Sequence, residues 1–204
     1  MTKSTPDSIR ATYDRKVEGI RGRQDLSPQA RQVAIARAYT TAQEQLAQVQ
    51  QADTEHYHRQ RGYLERKLFG STTDVTGTNA LSSRDARERA AKYETPQDAA
   101  DAFNRAQRDG DSDMQRAVAA RAAEYASHAT AAPGWGHIVQ HYASSTPGKQ
   151  DTYDELTNMR EPGVGFDFTY VLPTPSELGR LTAGQVTQLA DSDLTVYGDG
   201  PQAA

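Results

Sequence analysis

Apolar positions fall at helical spacing through most of this chain. Between Pro6 and Ile20 they stand at Ile9, Tyr13, Val17 and Ile20, steps of three and four residues that predict a short amphipathic helix after disordered residues 1–6. Gly19 and Gly22 then loosen the backbone, and the stretch from Gly22 to Leu26 reads as the turn of a helical hairpin. From Ser27 to Gly70 the pattern predicts one long helix. Ser27 is suited to cap it, Pro28 fits its first turn, and Gly70 before Ser71-Thr72-Thr73 supplies a stop. At 1.5 Å per residue such a helix is on the order of 60 Å long. A chain of 204 residues cannot cover it, so it is expected to project from the body or to pack against other copies or other proteins. Its stripe of Ile35, Ala38, Ala42, Leu46, Val49 and Ala52 mixes small and larger side chains, which suits close helix packing. From Gln50 to Arg61 the stripe turns polar, and Leu64, Leu68 and Phe69 restore an apolar end that is expected to dock on the following domain.

Residues 71–82, rich in Thr, Ser, Gly and Asn, read as a linker. Four short helices are expected next. Ser82 or Ser83 would cap the first, Thr95-Pro96 starts the second with Asp98 in capping position, and Asp109-Gly110-Asp111 ends it. The third runs from about Ser112 to Ser127 and the fourth from Trp135 to Tyr142. Phe103, Met114, Val118, Trp135, Ile138 and Tyr142 are among the side chains that can form one small core.

Beyond Ser144 the periodicity changes. Asp151 to Met159 can form a turn or two of helix, after which Pro162, Gly163 and Gly165 forbid a regular one. Phe166, Phe168, Tyr170 and Leu172 then alternate with Asp167, Thr169 and Val171, the period of a half-buried strand. No second strand of comparable quality accompanies it, and a lone strand is not stable in water. The segment is therefore expected either to pack as an arm over the chain's own helices or to dock on a partner through those four side chains, the second being preferred. Thr174 would cap a turn ending at Leu178, Leu181-Thr182 opens a last helix carrying Val186 and Leu189, and Asp199-Gly200-Pro201 ends loosely.

The resulting fold class is mainly α: a long projecting helix plus a small helical bundle, with an extended C-terminal arm containing one lone strand. The expected division is 1–26 as a short helix and loop, 27–70 as the long helix, 71–82 as linker, 83–143 as the bundle and 144–204 as an acidic docking arm. Charge reinforces the division. Residues 1–70 carry twelve Lys/Arg against eight Asp/Glu (+4), 71–143 eight against ten (−2), and 144–204 three against nine (−6). The acidic tail is thus matched to a basic rod, its own or another copy's, or to a basic partner.

The net charge of −4 argues against a general nucleic-acid binder, and no sequence-specific nucleic acid is expected. With only 36 % apolar residues, much of it Ala, the core must be thin. Cys is absent, so disulfide and thiolate chemistry are excluded. No apolar run approaches the ~18 residues of a membrane span, and a protein soluble in the cytosol at synthesis is expected. Glycine-rich phosphate loops, nucleophile elbows and zinc patterns are not found, and neither enzymatic activity nor a cofactor is expected. His56 and His58 cannot share an ion on a helix, since positions two apart point to opposite sides. His137 and His141 have the right spacing, but no Glu or Asp stands beside them at ligand spacing, and no metal is expected there.

Three segments together carry a resemblance: the long helix ending in Tyr63-Leu64-Glu65-Arg66-Lys67-Leu68-Phe69-Gly70, the short-helix block with Arg84-Asp85-Ala86, Thr95-Pro96 and Asp109-Gly110-Asp111, and the tail with Phe166-Asp167-Phe168 and Leu172-Pro173-Thr174-Pro175-Ser176-Glu177-Leu178. In this order they resemble uncharacterised proteins of the virion-structure modules of tailed phages and prophages of actinobacteria. The resemblance implies a head or head-to-tail component found in the virion, and in the host cytoplasm during assembly. It would bind major capsid, portal or neck proteins as a homo-oligomer, with Phe166, Phe168, Tyr170 and Leu172 as partner-binding anchors. A scaffolding protein lost on maturation and a phage-encoded enzyme or host-directed adaptor are the alternatives.

Overall fold

The computed structural model describes residues 4–70, 78–127, 133–165 and 167–193. Eight helices make up its regular structure, with no strand among the described residues: α1 (Pro6–Gly22), α2 (Pro28–Phe69), α3 (Thr78–Ala90), α4 (Pro96–Asp109), α5 (Ser112–Ala126), α6 (Gly134–Ser145), α7 (Gln150–Asn158) and α8 (Ala183–Ala190). The mainly helical class and the long helix are therefore present, and the lone strand is not. The chain divides into two compact units. A terminal unit comprises Met1–Tyr57 with Arg160–Ala204, and a central unit comprises His58–Met159.

In the terminal unit α1 starts directly at Pro6. The Thr5 hydroxyl accepts a hydrogen bond from the Ser8 amide, and the Ser8 hydroxyl accepts one from the Thr5 amide. Thr5 and Pro6 thus belong to the capped start of α1 instead of being disordered, and residues 1–3 lie outside the described residues. Ile9, Tyr13 and Val17 of α1 are buried as their spacing predicts, together with Ile35, Tyr39 and Leu46 of α2. The remaining wall comes from the C-terminal segment, whose Leu172, Leu178, Val186 and Ala190 complete the core. Thr182 caps α8 through the Gln185 amide, as the Leu181-Thr182 signal predicts.

The central unit packs α3, α4, α5 and α6 around Phe103, Val118, Trp135 and Tyr142, with the end of α2 contributing Leu68. Thr95 caps α4, and Gly110 closes it in the left-handed conformation at φ 71°, which a side chain would resist. Two boundaries differ from the sequence reading: α6 runs on to Ser145 instead of ending at Tyr142, and α3 starts early. Ser82 and Ser83 do not cap α3, which begins four residues earlier, at Thr78. Ser83 instead turns inward, where its hydroxyl donates to Asp113 at 3.1 Å and accepts from Arg116 at 3.3 Å. Most of the expected linker, 71–77, lies outside the described residues. No helix among those described is long and apolar enough to cross a membrane.

Candidate interaction site

The feature of the terminal unit with chemical content is the way residues 167–193 are held. Arg10, on α1, extends along the start of that segment. Its Nη2 donates to the carbonyls of Phe168 at 2.6 Å, Val171 at 3.2 Å and Thr169. The two N–H groups of this one nitrogen are thereby shared among three backbone carbonyls of the segment. Asp167 completes the loop from the other side: its carboxylate accepts from the Thr169 amide at 2.9 Å and the Gly163 amide at 2.8 Å. The hydrogen bonds from Thr169 and Gly163 hold this carboxyl below the usual carboxylate range. The Val171 amide then donates to the Phe168 carbonyl at 3.1 Å, closing a turn. This is the physical reason that no strand forms. The alternation from Phe166 to Leu172 is overridden by an aspartate-capped turn and an arginine clamp, with Gly163 and Gly165 both at φ 75° before it.

The turn redistributes the four predicted anchors. Phe166 lies outside the described residues. Leu172 is 7 % exposed and belongs to the chain's own core. Tyr170 is half-buried, and its hydroxyl donates to Asp53 at 2.9 Å. Burial, with the Asp53 carboxylate beside it, pushes this phenol up to about 12. Of the three that are described, Phe168 alone faces outward, at 67 % exposure. Val171, which an extended strand would have turned to the opposite face, is 53 % exposed and lines the same shallow groove of about 570 Å³ as Phe168, Pro173, Arg10 and Asp14.

Further along, the segment is fastened by two more arginines. Arg21 Nε donates to Glu177 Oε1 at 2.7 Å and its Nη2 to Oε2 at 3.0 Å, a two-pronged ion pair. Gln32 donates to the Glu177 carbonyl at 2.8 Å. Arg37 donates to the carbonyls of Ala190 at 2.8 Å and Ser192 at 2.5 Å, placing a cation at the negative end of α8. Between these clamps the Tyr39 hydroxyl lies 3.2 Å from that of Thr174. Sequence reasoning singles out none of Arg10, Arg21, Arg37 and Glu177. One signal is present: Arg10 and Arg21 stand eleven residues apart, three helical turns, so they share a side of α1 bordering its apolar stripe.

The Arg21 hydrogen bonds hold the Glu177 carboxyl at about 2, below the ordinary glutamate value of 4.5. A carboxyl depressed in the folded state contributes stability above its unfolded value, and that contribution is lost as pH falls through the folded one. Glu177→Gln is therefore expected to be less stable than the parent at neutral pH, with the difference vanishing between pH 4.5 and about 2. Urea melts across that window check this; a difference that stays constant down to pH 2 would sink it.

A second concave site lies in the central unit. His137 and His141, one turn apart on α6, line a cavity of about 400 Å³ with Pro96, Gln97, Phe103 and Asn104. The His141 ring packs on Phe103 at 5.1 Å between centroids. No cluster of three His, Cys, Asp or Glu side chains suited to a metal occurs among the described residues. Comparison of the chain with protein-family models, curated proteins and solved structures returns no match.

Proposed function

We propose that this chain is a non-enzymatic phage virion structural or assembly protein that binds major capsid, portal or neck subunits and works as multiple copies in the particle. The observation that carries the reading is the outward display of Phe168 and Val171 on a loop fastened from beneath by Arg10 and Asp167. Large apolar side chains held at the surface by a rigid support lose little entropy on docking, and such anchors dominate interface energies. The resemblance of the long helix, short-helix block and tail to virion-module proteins supplies the class of partner. In this reading α2 is the projecting or oligomerising element and the central unit a small supporting bundle. Phe168, Val171 and Pro173 form the docking ledge, with Phe166 adjacent in sequence.

Mass spectrometry of purified particles tests the reading. A fixed copy number relative to the major shell protein in mature particles supports a permanent component. Presence confined to immature shells favours a scaffold, and absence from both removes the assembly reading. Phe168→Asp is expected to change stability by no more than about 0.5 kcal/mol, since the side chain is mostly exposed, while lowering incorporation about tenfold or more. A variant that folds normally and is packaged at the parental level would exclude Phe168 as an anchor.

A further inference from the structure

The C-terminal segment is not built into the terminal unit as a continuation of α2. Between Tyr57 and Arg160 the chain forms the whole central unit with a core of its own, and only then returns to cover α1 and α2. The fastenings on its return join partners far apart in sequence: Arg21 to Glu177, Arg10 to Phe168 and Val171, Arg37 to Ala190, Tyr170 to Asp53. Each is a side-chain contact whose geometry is indifferent to which copy of the chain supplies the second partner. We infer that residues 167–193 are exchangeable, and that the face of α1 and α2 they cover is also the docking site for the same segment of a second copy.

Three observations bear on this. The core that the segment completes is strongly apolar: Leu172, Leu178, Val186 and Ala190 of the segment share one buried cluster with Ile9, Tyr13, Ile35, Tyr39 and Leu46 of α1 and α2, so the place they fill must be occupied by something complementary. The complementarity is also electrostatic and specific, since Arg21 meets Glu177 through both prongs and Arg37 meets the carbonyl end of α8. Finally, residues 159–161, which lead from α7 into the segment, have no regular secondary structure, and Met159 is already extended at φ −64° and ψ 136°. Rotation there redirects the segment without breaking a helix. Closure within one chain has the advantage of effective concentration. Exchange between copies makes the same contacts and needs only that copies be crowded.

Charge reversal separates the two arrangements. Arg21→Glu and Glu177→Arg each place like charges together when the segment closes on its own chain. In an exchanged pair of one variant with the other, the unaltered Glu177 of the first meets the unaltered Arg21 of the second. The two substituted side chains then meet each other, so both contacts are opposite in sign. The two full-length variants are unfolded in denaturant and refolded separately and as an equimolar mixture. The expected result is a 1:1 dimer of twice the chain mass by light scattering in the mixture, about tenfold more abundant than any dimer in either variant alone. The doubly reversed chain, which restores the pair internally, should behave like the parent. A mixture that stays at the chain mass, that associates no more than its components, or that remains as unfolded as they are overturns the inference. A second measurement is independent of charge reversal. The chain has no Cys, so mixing an Arg21→Cys chain with a Glu177→Cys chain and adding a short bis-maleimide should crosslink unlike chains several-fold more than like ones. Equal yields would mean random collision and would also overturn it.

Discussion

Leu178→Asp is expected to open the terminal unit while leaving the central one folded. Leu178 is fully buried at the end of a turn closed by its own amide on the Pro175 carbonyl at 2.9 Å, in the core shared with Val17, Ile35 and Leu46. Removing a buried leucine forfeits roughly 1.5–3 kcal/mol of transfer free energy. Forcing a carboxylate into its place adds a desolvation cost, so the total should be on the order of 4 kcal/mol or more. The sole tryptophan, Trp135, belongs to the central core, stacked on Tyr125 at 4.5 Å between centroids. Its fluorescence therefore follows that unit alone, while far-ultraviolet circular dichroism follows both. The variant should lose part of its helical signal at low denaturant with the Trp135 transition unmoved. Equal displacement of the two transitions would mean that the units unfold as one.

The same contrast explains what can be read in advance. Elements defined by local chemistry are legible: Thr95 and Thr182 accept from the amide three residues on, Gly110 takes the left-handed conformation that ends α4, and Ser27 accepts from the Ala30 amide ahead of α2. The burial of Ile9, Tyr13 and Val17 likewise follows from spacing on one helix. Elements defined by distant partners are not. The start of α3 lies earlier than the serines suggest because Ser83 has the chemistry of a cap, yet its hydroxyl serves a tertiary contact with Asp113 and Arg116. Alternation alone predicts the strand, although Asp167 two residues before Thr169 is itself a turn signal and Gly163 and Gly165 stand just ahead. What decides between strand and turn is whether the backbone carbonyls find a neighbouring strand or a side chain. The arginine that meets them lies in α1, more than 150 residues away in the chain.

Charge distribution occupies an intermediate position. A basic first part and an acidic last part are visible by counting, and they predict attraction without naming the groups. The structure resolves the attraction into three arginines with different tasks. Arg21 meets a carboxylate of the segment, whereas Arg10 and Arg37 meet its backbone carbonyls. Raising ionic strength screens exposed charge pairs, so the Arg21 contact is the one most open to salt. The carbonyl contacts are carried by hydrogen-bond geometry and by burial of Leu172 and Leu178 beneath them.

In the central unit the largest single effect is expected from Phe103. It is 1 % exposed, meets Tyr142 edge-on at 6.4 Å and 86°, and packs on the His141 ring. Phe103→Ala should destabilise the unit by about 3–5 kcal/mol, through lost transfer energy and the cavity left behind. At roughly 4–8 °C per kcal/mol for a domain of 60–100 residues, that is enough to bring its melting within reach of physiological temperature or to prevent folding. Trp135 fluorescence during thermal unfolding is the appropriate readout, because the indole shares this core. Phe103→Leu keeps most of the volume and should cost about 1.5 kcal/mol or less, and the difference between the two variants assigns the effect to packing. Were the leucine variant as damaging as the alanine one, the aromatic contacts with Tyr142 and His141 would be the dominant contribution. Because Phe103 also lines the cavity beside His137 and His141, the alanine variant enlarges that cavity at the same time. A small aromatic solute should then restore part of the lost stability by filling the vacated ring position.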